Sequence, residues 1–282
     1  MRIQGMTVEG ARAGDGEQVG RLLAAAHAPD HQQLTVWSSP KIGRYVEDLI
    51  EGSLPQESPA FTLIRRDGVI AAAVYLRSIL GGIFIDSLYA DEATRKEQVT
   101  NLLIYRSLVD YSRPHPSPVV RFDVFESKRA VRAWQHRILG AREVVRRIWW
   151  RLPPPKAGRA DGKVSGLAEA DRIHVRWGFS KFQITTVRGT YTIGRLPGPY
   201  FRLAEPLEAP DPELFRTLAS LDSARELLVT GEKDWQAEGG RKIDVLIRSR
   251  VELPELLRRL KAQTPSWMLE AERRTRSTHS PN

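Results

Sequence analysis

The stretch from Ile83 to Tyr111, IFIDSLYADEATRKEQVTNLLIYRSLVDY, constrains this chain more than any other. Ile83, Phe84, Ile85, Leu88 and Tyr89 are β-branched, aliphatic or aromatic and read as a strand. A turn follows through Asp91 to Arg95. Val99, Leu102, Leu103, Leu108 and Val109 then recur near the 3.6-residue period of a helix. A strand, a short loop and a helix in that order point free backbone N–H groups at a phosphate.

The flanking sequence fits around this unit. Val8–Ala13 reads as a strand, and Asp15 with Gln18 resembles a capping box ahead of a helix through Val19, Leu22, Leu23 and Ala26, which Pro29 ends. Ser39-Pro40 starts a second helix with Ile42, Tyr45, Val46, Leu49 and Ile50 on its apolar face. Phe61–Arg65, the Asp67-Gly68 turn and Val69–Leu76 form a hairpin. After the central unit come a strand at Val119–Phe125, a helix at Lys128–Arg137 and a closing strand at Val144–Leu152. The order is β α α β β β α β α β. His27 and His31 stand four apart, but Pro29 between them breaks the helix that would align them, so no metal is expected.

Pro153-Pro154-Pro155 opens a linker-like segment. Beyond it, strands are expected at His174–Trp177, Phe182–Val187, Thr190–Ile193 and Phe201–Leu203, then a helix after Asp211-Pro212. Strands at Glu226–Thr230 and Ile243–Ile247 and a helix at Pro254–Ala262 complete the chain. The expected division is residues 1–153, a linker at 154–172, a smaller unit at 173–265 and a polar tail at 266–282. The fold class is α/β (α+β): a mixed sheet flanked by helices, followed by a smaller α+β unit.

The chain has no cysteine, which removes disulfides, thiolate catalysis and cysteine-bound metals. No apolar run is long enough to span a bilayer, and the N-terminus lacks a signal-peptide core, so a cytoplasmic location without membrane contact is expected. The net charge is +9, and it is spread: residues 1–157 carry 22 basic and 17 acidic side chains, residues 158–282 carry 21 and 17. Locally it concentrates, because Lys128–Arg151 holds eight Lys or Arg against Glu143 alone. Such a run suits a polyanion, the phosphates of a nucleotide cofactor, or simply a solvated face.

The element order and the segment LYADEATRKEQVTNLLI resemble the GNAT superfamily of acyl-CoA-dependent N-acetyltransferases. In that family a bulged strand runs into an Arg/Gln-x-x-Gly-x-Gly/Ala loop whose backbone N–H groups hold the coenzyme A pyrophosphate. The resemblance places Arg95 at the Arg/Gln position, Gln98 at the first Gly and Thr100 at the Gly/Ala position. It implies a cofactor site along Leu88, Tyr89, Ala90, Arg95, Lys96, Glu97, Gln98, Val99 and Thr100. Gln98 adds a side chain where glycine would let the phosphate approach. Further on, Ser127 matches the family's Asn and Ala130 its Ala, with Trp134 at the Tyr position and Gly140-Ala141 in place of Gly-Phe. Trp134 cannot deliver a proton as that Tyr would, and core packing suits it better.

The resemblance implies acetyl-CoA as co-substrate, a primary amine of a small molecule or protein as acceptor, and a carboxylate to take the amine proton. Asp86, ahead of the bulge, and Glu126, at the end of the facing strand, are the candidates. Ser127 and the cationic Arg129, beside Lys128 and Arg132, join the expected cofactor contacts. The second half reads as a reduced copy of the first without the phosphate loop, a tandem arrangement, with an unrelated α+β module as the rival. A non-catalytic module on the same fold and a nucleic-acid-associated protein stay open as functions, the latter not favoured because no nucleic-acid motif accompanies the basic run. A monomer or homodimer fits either.

Overall fold

The structure, a computed structural model, describes residues 2–3, 5–54, 60–96, 99–114, 118–153, 160–207, 209–231 and 239–265. The first half contains β1 (Arg2–Ile3), β2 (Met6–Gly10), α1 (Gly16–Ala25), α2 (Pro29–Gln32), a 3-10 turn at Val36–Ser38 and α3 (Ile42–Ile50). It continues with β3 (Ala60–Arg66), β4 (Val69–Ile79), β5 (Gly82–Ala90), α4 (Glu92–Lys96), α5 (Val99–Ser112), β6 (Val119–Phe125), α6 (Arg129–Trp134), a π turn at Gln135–Leu139 and β7 (Arg142–Leu152). The second half holds β8 (Lys163–Ser165), α7 (Leu167–Trp177), β9 (Ser180–Thr186), β10 (Gly189–Arg195) and β11 (Tyr200–Leu203). It ends with α8 (Pro212–Leu221), β12 (Glu226–Gly231), β13 (Arg241–Glu252) and α9 (Leu253–Gln263). Among the described residues no helix is long and apolar enough to cross a membrane.

Most elements follow local chemistry. The β3–β4 turn takes positive φ at both Asp67 (51°) and Gly68 (84°), the pattern a two-residue hairpin turn needs. Asp211 caps α8 by accepting from the Glu213 and Leu214 N–H groups, with Pro212 at the first helical position. Three expectations need correction. Residues 174–177 are not a strand; they are the last turn of α7, which Gly178 ends at φ 77° with its N–H on the His174 carbonyl. Pro29 does not merely end α1; it opens α2, which carries His31. Asp15 does not cap α1 with its side chain. It binds Arg65, and the α3 residue Glu47 accepts from the Gly14 and Gly16 N–H groups instead. Of the expected linker, residues 154–159 lie outside the described residues, while β8 and the start of α7 occupy Lys163 onward. Residues 266–282 also lie outside them.

All the strands join one sheet in the order β1-β2-β3-β4-β5-β6-β13-β7-β12-β11-β10-β9-β8. Each half lends its last strand to the other. β13 pairs antiparallel with β6 (Ile247 opposite Val124), while β7 pairs antiparallel with β12 (Trp150 opposite Val229). The two lent strands pair with each other, Val245 opposite Ile148. The exchange continues into the cores. Leu256 and Leu260 of α9 are fully buried in the first half's core, where α9 packs on α5. Burial of each stabilises the fold by about 2 kcal/mol. On the other face of the first half, Phe179 and Trp177 of the second half pack with Tyr45, Val46 and Leu49.

Candidate functional site

The two halves repeat one motif, a parallel strand pair followed by a helix, and differ at its mouth. In the first half β5 and β6 pair through Ile83–Val120, Phe84–Arg121 and Ile85–Phe122, then separate. Against β4 the register shifts so that Ile85 faces Leu76 and Ser87 faces Tyr75, leaving Asp86 as the extra residue of a bulge. From Ser87 to Ala90 the strand keeps its β4 partners on one edge and has no ladder on the other. The result is an open fork with α5 beginning just beyond it.

In the second half β11 and β12 pair through Tyr200–Glu226, Phe201–Leu227 and Arg202–Leu228. There the chain after β11 returns to the sheet: the Leu207 N–H donates to the Thr230 carbonyl at 2.9 Å, and Leu207 is buried in the core. The α8 N-terminus is filled as well. Asp211, 1% exposed, takes two of its free N–H groups and the Thr186 hydroxyl at 2.7 Å. Burial pushes the Asp211 carboxyl up, but these hydrogen bonds outweigh it and leave the pKa lowered, so the helix end holds a permanent anion of its own. A pyrophosphate has no place there.

The residues expected at a cofactor spread along the open fork. Leu88 and Ala90 pack on one core of the first half and Tyr89 on the other, with their backbone at the free edge of β5. Asp91 turns the chain, accepting from the Thr94 N–H at 2.7 Å, and Arg95 and Lys96 lie in the short α4 it caps. Glu97 and Gln98 lie outside the described residues. Val99 is core, and the Thr100 hydroxyl, in the first turn of α5, is buried with no hydrogen-bond partner among the described residues. Among the described residues no acidic side chain sits in that first turn. An open fork and an orphaned donor at a helix N-terminus fit a phosphate-bearing coenzyme A arm. Ser127 is engaged differently: its hydroxyl donates to Asp244 of β13 at 2.5 Å. Arg129 is exposed at the start of α6, lining a groove of about 330 Å³ with Arg132, His136 and Arg137. Trp134 packs on the first half's core.

The two candidate carboxylates have different surroundings. Glu126 belongs to a surface network, accepting from Arg146 at 3.0 Å with Arg132 at 3.9 Å. Asp86 lies at the bulge, held by the Arg77 Nε at 2.8 Å, while its second oxygen faces the Ser87 hydroxyl at 3.4 Å. Ser87 in turn lies 3.4 Å from Nε2 of His27, which stacks on Trp37. Burial lowers the His27 pKa against the pull of Asp86, and His31 and Lys128 lower it further, so the imidazole is neutral at pH 7. His27 is a candidate that spacing alone missed: the chain passes α1 and returns it to Ser87 beside the bulge. His31 is separate, stacked on Phe125 at 3.9 Å and bonded to Asp244 at 3.0 Å. Among the described residues no group of three or more His, Asp or Glu is placed to hold a metal.

The basic run from Lys128 to Arg151 is partly neutralised. Arg132 and Arg146 meet Glu126 and Glu143, and Arg151 meets Glu226 at 2.5 Å. A cavity of about 560 Å³ lies beside Arg106, Ser107 and Tyr111 in the C-terminal half of α5 and holds none of the candidate residues.

No protein-family model matches the sequence, and no curated protein matches it. Solved structures do match in shape. A tandem GNAT protein from the clavulanic acid biosynthesis pathway is 14% identical with a TM-score of 0.59, covering 88% of this chain and 98% of that one. A GCN5-related N-acetyltransferase from Sphaerobacter thermophilus is 14% identical with a TM-score of 0.54 over 90% and 97% of the two chains. A Pyrococcus horikoshii protein, 14% identical, reaches 0.57 over 89% and 91%. The chain therefore has the tandem GNAT fold, its two halves joined in one continuous sheet.

Proposed function

We propose that the chain is an N-acyltransferase that uses acetyl-CoA at the fork of its first half and transfers the acyl group to a primary amine of a small molecule or protein. The observation that carries this reading is the fork itself: it is open, with a bulge at Asp86, in one half and sealed by Leu207 and Asp211 in the other. A fold alone does not confer chemistry; an intact site beside a sealed copy of it supports one.

Acetyl-CoA supplies an activated acyl carbonyl, so that a C–N bond forms as a C–S bond breaks. The free edge of β5 from Ser87 to Ala90 lines the acyl end, and its N–H groups suit a developing oxyanion. Thr100 and the α5 N-terminus receive the pyrophosphate. Arg95 and Arg129 are the cations proposed for the outer phosphates. Neutral His27 accepts the amine proton at Nε2, directly or through the Ser87 hydroxyl. Asp86, fixed by Arg77, favours the imidazolium that results. Glu126, tied to two arginines at the surface, has no part in this step.

Thiol release from acetyl-CoA with a panel of primary amines tests the proposal. Amine-dependent release that His27→Gln suppresses supports it. Release no faster than uncatalysed hydrolysis with every amine leaves a binding module on a GNAT fold, the reading that Trp134 in the core favours.

A further inference from the structure

The groove of about 330 Å³ beside α6 holds a side chain that the fold leaves unsatisfied. Gln135, 6% exposed, lines it, and its Oε1 is buried with no hydrogen-bond partner among the described residues. A buried acceptor without a donor calls for an explanation. The backbone at this point is closed, because the Gln135 carbonyl accepts from the N–H groups of both Gly140 and Ala141. Gln135 also opens the π turn, a departure from the α-helix that recurs at binding sites.

The rest of the lining supplies charge. Arg129, His136 and Arg137 are exposed and, among the described residues, have no hydrogen bond or ion pair. Arg132 is half-buried and loosely held, 3.9 Å from both Glu126 and Glu143. Glu143, the acid in the lining, is already engaged by Arg146. Guanidiniums in excess over one neutralised carboxylate suit a phosphate, whose oxygens match the planar fork. The floor is different in character: Ile247 and Ser249 of β13 are 2% and 7% exposed. A bare phosphate satisfies the rim alone. A phosphorylated sugar satisfies both, with a hydroxyl donating to Gln135 Oε1 and its carbons resting on Ile247. The volume is at the small end of ligand pockets and holds one such molecule.

The groove is separate from the cofactor fork. In the sheet order β5-β6-β13-β7 the fork opens between β5 and β6, whereas the groove lies over β13 and β7, on the far side of β6. No residue of β5 or α5 lines it. Gln135, His136 and Arg137 have no part in the acyl-transfer scheme.

We propose that this groove is a second ligand site, which takes a phosphorylated sugar with its phosphate on Arg132 and Arg137 and a hydroxyl on Gln135. The site does not depend on the acyl-transfer reading. Its walls come from α6 and β7 of the first half and its floor from β13 of the second, so it is complete only when the exchanged strands are paired. A ligand bound there stabilises the joined chain.

Thermal-shift titration of the full chain tests the proposal with phosphorylated pentoses and hexoses, their unphosphorylated parents and inorganic phosphate. At least one ester stabilises the wild type, and both its parent sugar and inorganic phosphate bind about tenfold more weakly or worse. Arg137→Gln weakens the ester about tenfold, and Gln135→Leu brings it down to the level of inorganic phosphate. Acetyl-CoA gives the same shift with and without the ester. No effect of any ester at millimolar concentration overturns the proposal, as does inorganic phosphate that binds as tightly as every ester, or an Arg137→Gln protein that binds the ester as the wild type does. An ester that competes with acetyl-CoA also overturns it, since the groove would then be part of the cofactor site. So does single-stranded RNA that binds where no small ester does, which would make the groove a nucleic-acid surface. Arg137 is exposed, so its variant reads binding rather than folding, and the wild-type comparison stands even where Gln135→Leu fails to fold. Absence of any acetyl-CoA shift counts against acyl transfer alone, because ester binding is read separately.

Discussion

Asp48 of α3 accepts two hydrogen bonds from Arg176 of α7, at 2.7 and 2.6 Å, and so joins the two halves through a carboxylate with no solvent exposure. The Trp177 indole adds a third at 2.6 Å. Burial pushes the Asp48 carboxyl up, but the bonds from Arg176 and Trp177 win and lower its pKa. Asp48→Ala leaves the indole N–H without its acceptor and costs about 2–3 kcal/mol in a denaturant melt at pH 7. The folded pKa lies below the unfolded one, so this stabilisation is complete above about pH 4 and fades as pH falls through the folded value. The gap between wild type and variant therefore narrows in acid.

His27 predicts the shape of the pH–rate profile. Burial holds its pKa below the ordinary value of 6.5, so kcat/KM is lost on its account only as pH falls through that lowered pKa. His27→Gln lowers kcat by about a hundredfold and removes the acid limb. A variant profile with the same limb assigns it to another group.

Thr100 and Asp211 sit at equivalent helix starts and predict opposite behaviour. Thr100→Val removes an orphaned hydroxyl from the open fork, weakening acetyl-CoA by about fivefold, roughly 1 kcal/mol, with little change in melting. Asp211→Ala removes a helix cap and strands the Thr186 hydroxyl, costing about 1–2 kcal/mol of stability with acetyl-CoA affinity unchanged. Calorimetric affinity and a denaturant midpoint, measured on both variants, separate the two.

The strand exchange predicts one cooperative unit. Because β13 and α9 complete the first half and β7 completes the second, neither half closes its own core. Scanning calorimetry of the full chain gives a single transition with calorimetric and van't Hoff enthalpies in agreement. Two separated transitions would show that the halves melt independently.

Where the chemistry is local, the sequence is legible. The β5–α5 unit, the Asp67-Gly68 hairpin and the Asp211-Pro212 helix start follow from propensity, turn and cap rules. α7 is not read correctly because Val175 and Trp177 favour strands as single residues. The informative signal was Gly178, a C-cap glycine, one turn after His174. The exchange of β7 and β13 depends on pairing Val119–Phe125 with Leu246–Glu252, more than a hundred residues away, and no local pattern encodes that. The bulge follows from the resemblance, but its neighbour His27 does not, since Ser87 and His27 meet only once α1 packs on the sheet.

The central claim is that one fork of two accepts the cofactor. Isothermal titration of the full chain with acetyl-CoA measures this directly. The account predicts one site per chain, weakened by Thr100→Val and untouched by Asp211→Ala. No binding at millimolar acetyl-CoA, or two equivalent sites per chain, would contradict it.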